Sequence, residues 1–220
     1  MMGNDCYNDC TCAAAGHLIM GWTAKAGHPV IPTTRSILAA YAAVTGFVKR
    51  TRAHDKGARA LHVLKHWRKH GIAGHRIKAF LALDLKDREQ LKMAVYRFGG
   101  CYIGLDLVAA HATPCALQRR RVWRAPRGHR RRRRGAPDPE KGHVVAVMGY
   151  DADGLLCASW TKTYRMTWGF WETCVDEAFA ILSPDWLRRW RGHRRLPLEF
   201  DLDAVMADVK KATRVKRRRA

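Results

Sequence analysis

The sequence predicts an α+β fold with a helical N-terminal lobe and an antiparallel β-sheet C-terminal lobe. Three observations carry that prediction. Up to residue 98, apolar residues recur at steps of three and four. From Cys101 onward the apolar runs are short, rich in Val and Ile, and broken by turn signals. Gly99-Gly100 stands between the two patterns. At 220 residues and 47% apolar content, the chain has material for one domain or a small pair of lobes. We therefore divide it into a folded region over 1–187, with lobes at 1–98 and 99–187, and a basic tail over 188–220.

Residues 10–24 read as a helix, because Ala14, Leu18 and Trp22 form one apolar stripe, and this places Cys10 at the helix N-terminus. Pro32-Thr33-Thr34 caps a second helix through Ile37, Tyr41 and Val44, closed by Gly46. A third spans 57–70, with Ala60, Leu64 and Trp67 inward and Gly71 as its stop. In the fourth, Asp87 and Gln90 resemble a capping box ahead of Leu91, Ala94, Val95 and Phe98, and Gly99-Gly100 ends it. Strands are expected at 101–107, 143–150 and 155–160, the last two joined by a DADG turn, and at 178–182, ending at Ser183-Pro184. The arginine-rich insertion 108–141 is expected to be partly disordered. After Trp186, one short helix is expected at 203–212.

Composition narrows the function classes. No run of about 18 apolar residues exists, and the N-terminus lacks a basic-then-apolar secretory signal, so a soluble, cytoplasmic protein with no membrane contact is expected. Seven cysteines without framework spacing argue for reduced thiols. The net charge of +22 is concentrated: Arg119 to Arg134 carries ten arginines and no acid, and Arg188 to Ala220 carries twelve basic against four acidic residues. The remaining 171 residues hold only +4. Such runs are self-repelling, solvated segments that bind polyanions at low salt, so non-specific nucleic acid through these two segments is a possible partner. No RNA-binding or helix-turn-helix signature accompanies them.

A cysteine at a helix start has a physical advantage as a nucleophile, because the helix dipole and free N–H groups favour the thiolate. A histidine from a distant strand completes the pair by moving the proton. Cys10 and His143 fit these places. Other readings compete with this one. Cys6, Cys10 and Cys12 are alternatively metal or redox ligands, although C-x3-C-x-C is not a standard zinc spacing. His62, His66 and His70 share one helical face, which reads better as a solvated face interleaved with Lys65, Arg68 and Lys69. Trp123, Trp160, Trp168, Trp171, Trp186 and Trp190 read as core rather than as base-stacking platforms. Neither a metal nor a cofactor is expected.

Asn4 through Ala14 (NDCYNDCTCAA) resembles the papain-type motif in which a Gln six positions before the nucleophilic Cys donates a side-chain N–H to the oxyanion hole. Asn4 stands six before Cys10 and carries the same amide on a shorter arm. Gly142 to Asp151 (GHVVAVMGYD) resembles the histidine strand of papain-like cysteine peptidases, Phe98 to Leu105 (FGGCYIGL) the strand before it, and Ser159-Trp160 the Ser-Trp of their Asn-Ser-Trp-Gly motif. The resemblance covers residues 3–187 in layout and about a dozen positions in detail. Gly3 to Cys10 and Trp168 to Trp186 also resemble small papain-fold proteins of phage and bacterial genomes.

The resemblance implies a peptide or amide substrate, Cys10 as nucleophile, His143 as acid and base, and Asn4 with the Cys10 N–H as oxyanion donors. The family's orienting Asn falls at Ala158, which cannot hold an imidazole. Bacteriocin-processing relatives use Asp one position later, where Ser159 stands with a weaker acceptor. Nine residues before Cys10 leave no room for an inhibitory prosegment, so the domain either works without one or is cut short. A catalytically silent papain-fold protein that binds a partner or nucleic acid is the rival expectation.

Overall fold

In the computed structural model, which describes residues 1–107, 110, 113–125 and 142–191, with side chains to 187, a nine-residue loop leads into α1 (Cys10–Lys25). Ala14, Leu18 and Trp22 are buried as the stripe predicts, but so are Cys12, Ala13, Ala15 and Ile19, because α1 lies between the sheet and other helices. Around it pack α2 (Thr34–Thr45) and α3 (Ala60–Lys69), and Trp22 stacks on Trp67 of α3 at 5.7 Å. Thr33 caps α2 by accepting from the Ser36 N–H, and Gly46 closes it in the left-handed region at φ 77°.

The sheet begins earlier than expected, with β1 (Ala79–Ala82), followed by α4 (Arg88–Phe98). The Asp87 side chain caps α4 by accepting from Gln90 N–H at 2.9 Å, but Gln90 Oε1 accepts from Asp84 N–H rather than closing the box on Asp87. After Gly99 come β2 (Cys101–Asp106), α5 (Pro114–Arg119), β3 (Val122–Trp123), β4 (Gly142–Tyr150), β5 (Gly154–Ser159), β6 (Lys162–Thr167), α6 (Trp168–Cys174), β7 (Val175–Leu182) and α7 (Pro184–Arg191). The seven strands run in the order β1-β7-β2-β4-β5-β6-β3, antiparallel except for the short β3–β6 pair.

Strand alternation sorts the sheet into two cores. Tyr102, Val144, Ala146, Phe179 and Ile181 face α1, α2 and α3. Ile103, Leu105, Val145, Val147, Ala178 and Ala180 face the other way, toward α4 and the aromatics of α6. Burial on both faces explains the unbroken Val-rich run in β4.

Several elements differ from the sequence reading. Within the insertion, residues 113–125 fold onto the sheet. Thr113 caps α5, Leu117 and Trp123 are buried, and Trp123 stacks on Tyr164 while donating to Leu117 C=O. Strands β1 and β6 escape the sequence reading because one is a four-residue edge and the other carries Lys162 and Arg165 on its exposed positions. Trp160, expected to end a strand, instead sits in the two-residue turn between β5 and β6 at φ 51°. α7 runs across residue 187 into the start of the basic tail, where the sequence reading expected no helix before 203; the helix expected at 203–212, the centre of the insertion and the tail beyond residue 191 lie outside the described residues. Among the described residues, no helix is long and apolar enough to cross a membrane.

Candidate active site

The loop before Cys10 is held from α2 and the α2–α3 connection. Asp55 accepts from the Asn8 N–H at 2.9 Å, from the Tyr41 hydroxyl at 3.2 Å and from Arg52 at 2.7 Å. The Asn8 side-chain amide returns a bond to Asp55 C=O at 2.7 Å, and Arg52 also donates to Cys6 C=O. From the sheet side, the Tyr102 hydroxyl donates to Thr11 C=O at 2.8 Å. Cys10, the first residue of α1 and half-buried, is thereby fixed between the helical layer and the end of β4.

His143, near the start of β4, is 2% exposed. Its Nε2 lies 3.0 Å from Ser159 Oγ, and its ring stacks on Trp160 with centroids 4.5 Å apart and planes 10° from parallel. The β4–β5 register pairs Ala146 with Ala158, so Ala158 faces the helical core while Ser159 reaches the imidazole. A bulky residue at positive φ is strained backbone, and here it sits where it clamps the predicted base.

Two cavities meet at this pair, and Cys10 and His143 line both. One, of about 230 Å³, is also lined by Asn4, Cys6, Gln118 and Trp160, so Asn4, Cys10 and His143 share one cleft. The other, of about 220 Å³, runs between the start of α3 and the junction of β2, β4 and β7.

Burial dominates the electrostatics. It pushes the Cys10 thiol up to about 11; the Val144 N–H opposes this and the Asp9 carboxylate adds to it. Burial, with His17 beside it, pulls His143 down to about 3. The thiolate advantage expected from the helix terminus is thus overridden, and at neutral pH the unliganded pair is thiol and neutral imidazole. Asp9, fully buried at the N-cap position of α1, makes no side-chain cap, and among the described residues neither carboxylate oxygen has a hydrogen-bond partner. Burial raises its pKa to about 8.

The sequence reading missed Asp55, Tyr102 and His17, and it gave Trp160 no role at the base. None of them carries a local signal, because each acts on a residue distant in sequence. The alternative ligand sets do not assemble. All seven cysteines are free, Cys6 is exposed and Cys12 buried, and among the described residues no three His, Cys, Asp or Glu side chains are grouped to hold a metal.

No protein-family model matches this sequence, and no curated protein matches it. Among solved structures it is similar to xylellain, a cysteine protease from Xylella fastidiosa, with a TM-score of 0.53 and 16% identity over 79% of each chain. At that identity the likeness shows the fold alone. Together with the helices and the mainly antiparallel sheet described above, it establishes that the chain has a papain-like α+β fold.

Proposed function

We propose that this protein is a papain-like cysteine peptidase or related thiol amide hydrolase. The observation that carries the reading is the single cleft shared by Asn4, Cys10 and His143, with the His143 ring held by Ser159 and Trp160. In the proposed reaction the Cys10 sulfur attacks the carbonyl carbon of a peptide or other amide as His143 takes the thiol proton through its Nδ1. The Asn4 amide and the Cys10 N–H stabilise the oxyanion. Collapse breaks the C–N bond, the departing amine takes the proton from His143, and a thioester remains. Water, deprotonated by His143, then releases the acid and regenerates the thiol.

Ser159 replaces the usual amide as positioning residue. A neutral resting pair is compatible with this scheme, since proton transfer during attack does not require a preformed ion pair. Seven free thiols fit a reducing, cytoplasmic setting. A resemblance to small papain-fold proteins of phage and bacterial genomes has the Gly3 to Cys10 and Trp168 to Trp186 stretches as its only support. The neutral thiol also favours a second reading, a catalytically silent papain-fold protein that binds a partner, including nucleic acid through its arginine segments.

Labelling with a thiol-directed epoxide or vinyl sulfone at neutral pH, resolved by peptide mass, separates the two. Cys10 is expected to react fastest of the seven cysteines. His143→Ala is expected to slow it at least about tenfold, and Ser159→Ala by a smaller factor, in line with the loss of one orienting hydrogen bond. Reaction at Cys10 no faster than at the exposed Cys6, or indifferent to His143→Ala, refutes the hydrolase reading and leaves the silent one.

A further inference from the structure

Asp9 stands directly before Cys10, at the N-cap position of α1. It lines neither of the two cavities that meet at Cys10 and His143, and its carboxyl is fully buried. The loop backbone closes over that carboxyl at Gly3, in the left-handed region at φ 101°, where an added Cβ would stand 2.6 Å from Asp9 Oδ2. Substrate in the cleft therefore does not touch Asp9, and any influence it has on the site travels as charge.

An aspartate at an N-cap ordinarily accepts from the free N–H groups of the first turn and gains from the positive end of the helix. Asp9 makes no such bond, and among the described residues neither of its oxygens has a hydrogen-bond partner. A dry carboxylate without donors is costly to ionise and holds a proton instead. Burial is the main cause; the Asp9 N–H works against it, Asp55 from the α2–α3 connection and Asp5 from the loop work with it, and the Met1 amino group opposes it least. Arg52 is engaged by Asp55. The Tyr41 hydroxyl of α2 and the thiols of Cys10 and Cys12 are the other titratable groups on which the Asp9 charge acts, and it pushes each of them up. The balance puts the Asp9 carboxyl at about 8, so it changes charge just above neutrality.

We propose that Asp9 is a charge gate for Cys10: neutral, it leaves the thiol free to give up its proton, and ionised, it holds that proton on sulfur, so that the site shuts down as the medium turns alkaline. For hydrolysis the proposal rests on the hydrolase reading above; for the reactivity of the Cys10 thiol it stands by itself. The repulsion acts across buried surroundings, where salt screens it little. His143 does not imitate the gate, because it is already neutral above about 3.

The test is the rate at which uncharged methyl methanethiosulfonate modifies Cys10 in the full chain, followed by peptide mass in wild type and Asp9→Asn. The Cys10 sulfur, its proton released to solvent, attacks the sulfenyl sulfur; a mixed disulfide forms, and methanesulfinate leaves with the electron pair of the broken S–S bond. Wild type and variant are expected to react alike at pH 6.5. At pH 9.5 the variant is expected to react about tenfold faster, the scale of one nearby charge on a buried ionisation. At the exposed Cys115 of α5 the two proteins stay equal at both pH values. A variant-to-wild-type ratio at Cys10 that does not rise with pH overturns the proposal, since a purely structural effect of the substitution does not titrate. Asp9→Ser, uncharged and able to cap the helix, carries the test if Asp9→Asn does not fold. In a His143→Ala background the hydrolase reading predicts slower absolute rates, while the gate predicts the same rise in the ratio, so the two readings fail separately.

Discussion

His143 is clamped by a serine and a tryptophan that are adjacent in sequence, and the clamp depends on the left-handed turn at Trp160. Ser159 can do this because it follows Ala158 in β5, so strand alternation sends its hydroxyl to the face that Ala158 avoids. Asp9, beside the site, is fully buried, and among the described residues its carboxylate has no hydrogen-bond partner. Its carboxyl titrates near 8 in the fold against 3.8 for an ordinary aspartate. Between those values the native state holds a proton that the unfolded chain has released, so stability falls as pH rises through this window. Asp9→Asn is therefore expected to raise the urea midpoint at pH 8 and to leave it nearly unchanged at pH 4. A gain of equal size at both pH values would show that the Asp9 charge is not what costs stability.

At the scale of elements, the helix that begins at Cys10 has no side-chain cap of its own and is located by its neighbours. Asp55 is the main tie, since it gathers Asn8, Tyr41 and Arg52 around one carboxylate. Asp55→Ala is expected to cost about 2 kcal/mol in denaturant unfolding, the scale of a removed acceptor that leaves part-buried donors unsatisfied. It is also expected to narrow the reactivity gap between Cys10 and Cys6, as the 1–9 loop loses its anchor. Unchanged stability together with an unchanged gap would refute this role. Helices were legible where caps and periodicity coincide, as at Thr33, Asp87, Gly46 and Gly99. At Gly99 the left-handed φ of 70° coincides with tight packing, because an added Cβ would stand 2.4 Å from the Trp186 ring. Strands β1 and β6 were not legible, because an edge of four residues and an alternation interrupted by charges resemble loops.

For the whole molecule, charge and fold are nearly independent. Most of the net +22 sits in two segments, while the described residues build a two-faced sheet with ordinary apolar cores. If the arginine segments bind nucleic acid, they do so through phosphate contacts and counterion release, without reading sequence. Affinity for a random duplex is then expected to be measurable at about 50 mM salt and to drop by at least about a thousandfold near 200 mM. No binding at the lower salt removes nucleic acid from the partners of this chain.

The sequence by itself determined α1 to α4 and strands β2, β4, β5 and β7, with Cys10 at a helix start and His143 on a Val-rich strand. These are local matters of periodicity, capping and motif spacing. Tertiary structure decided what surrounds them: the Asp55 anchor, the Trp160 clamp, the neutral state of the Cys10 and His143 pair, and the burial of Asp9. Each of these depends on desolvation or on contacts between residues far apart in the chain, and neither is encoded in a window of neighbouring residues.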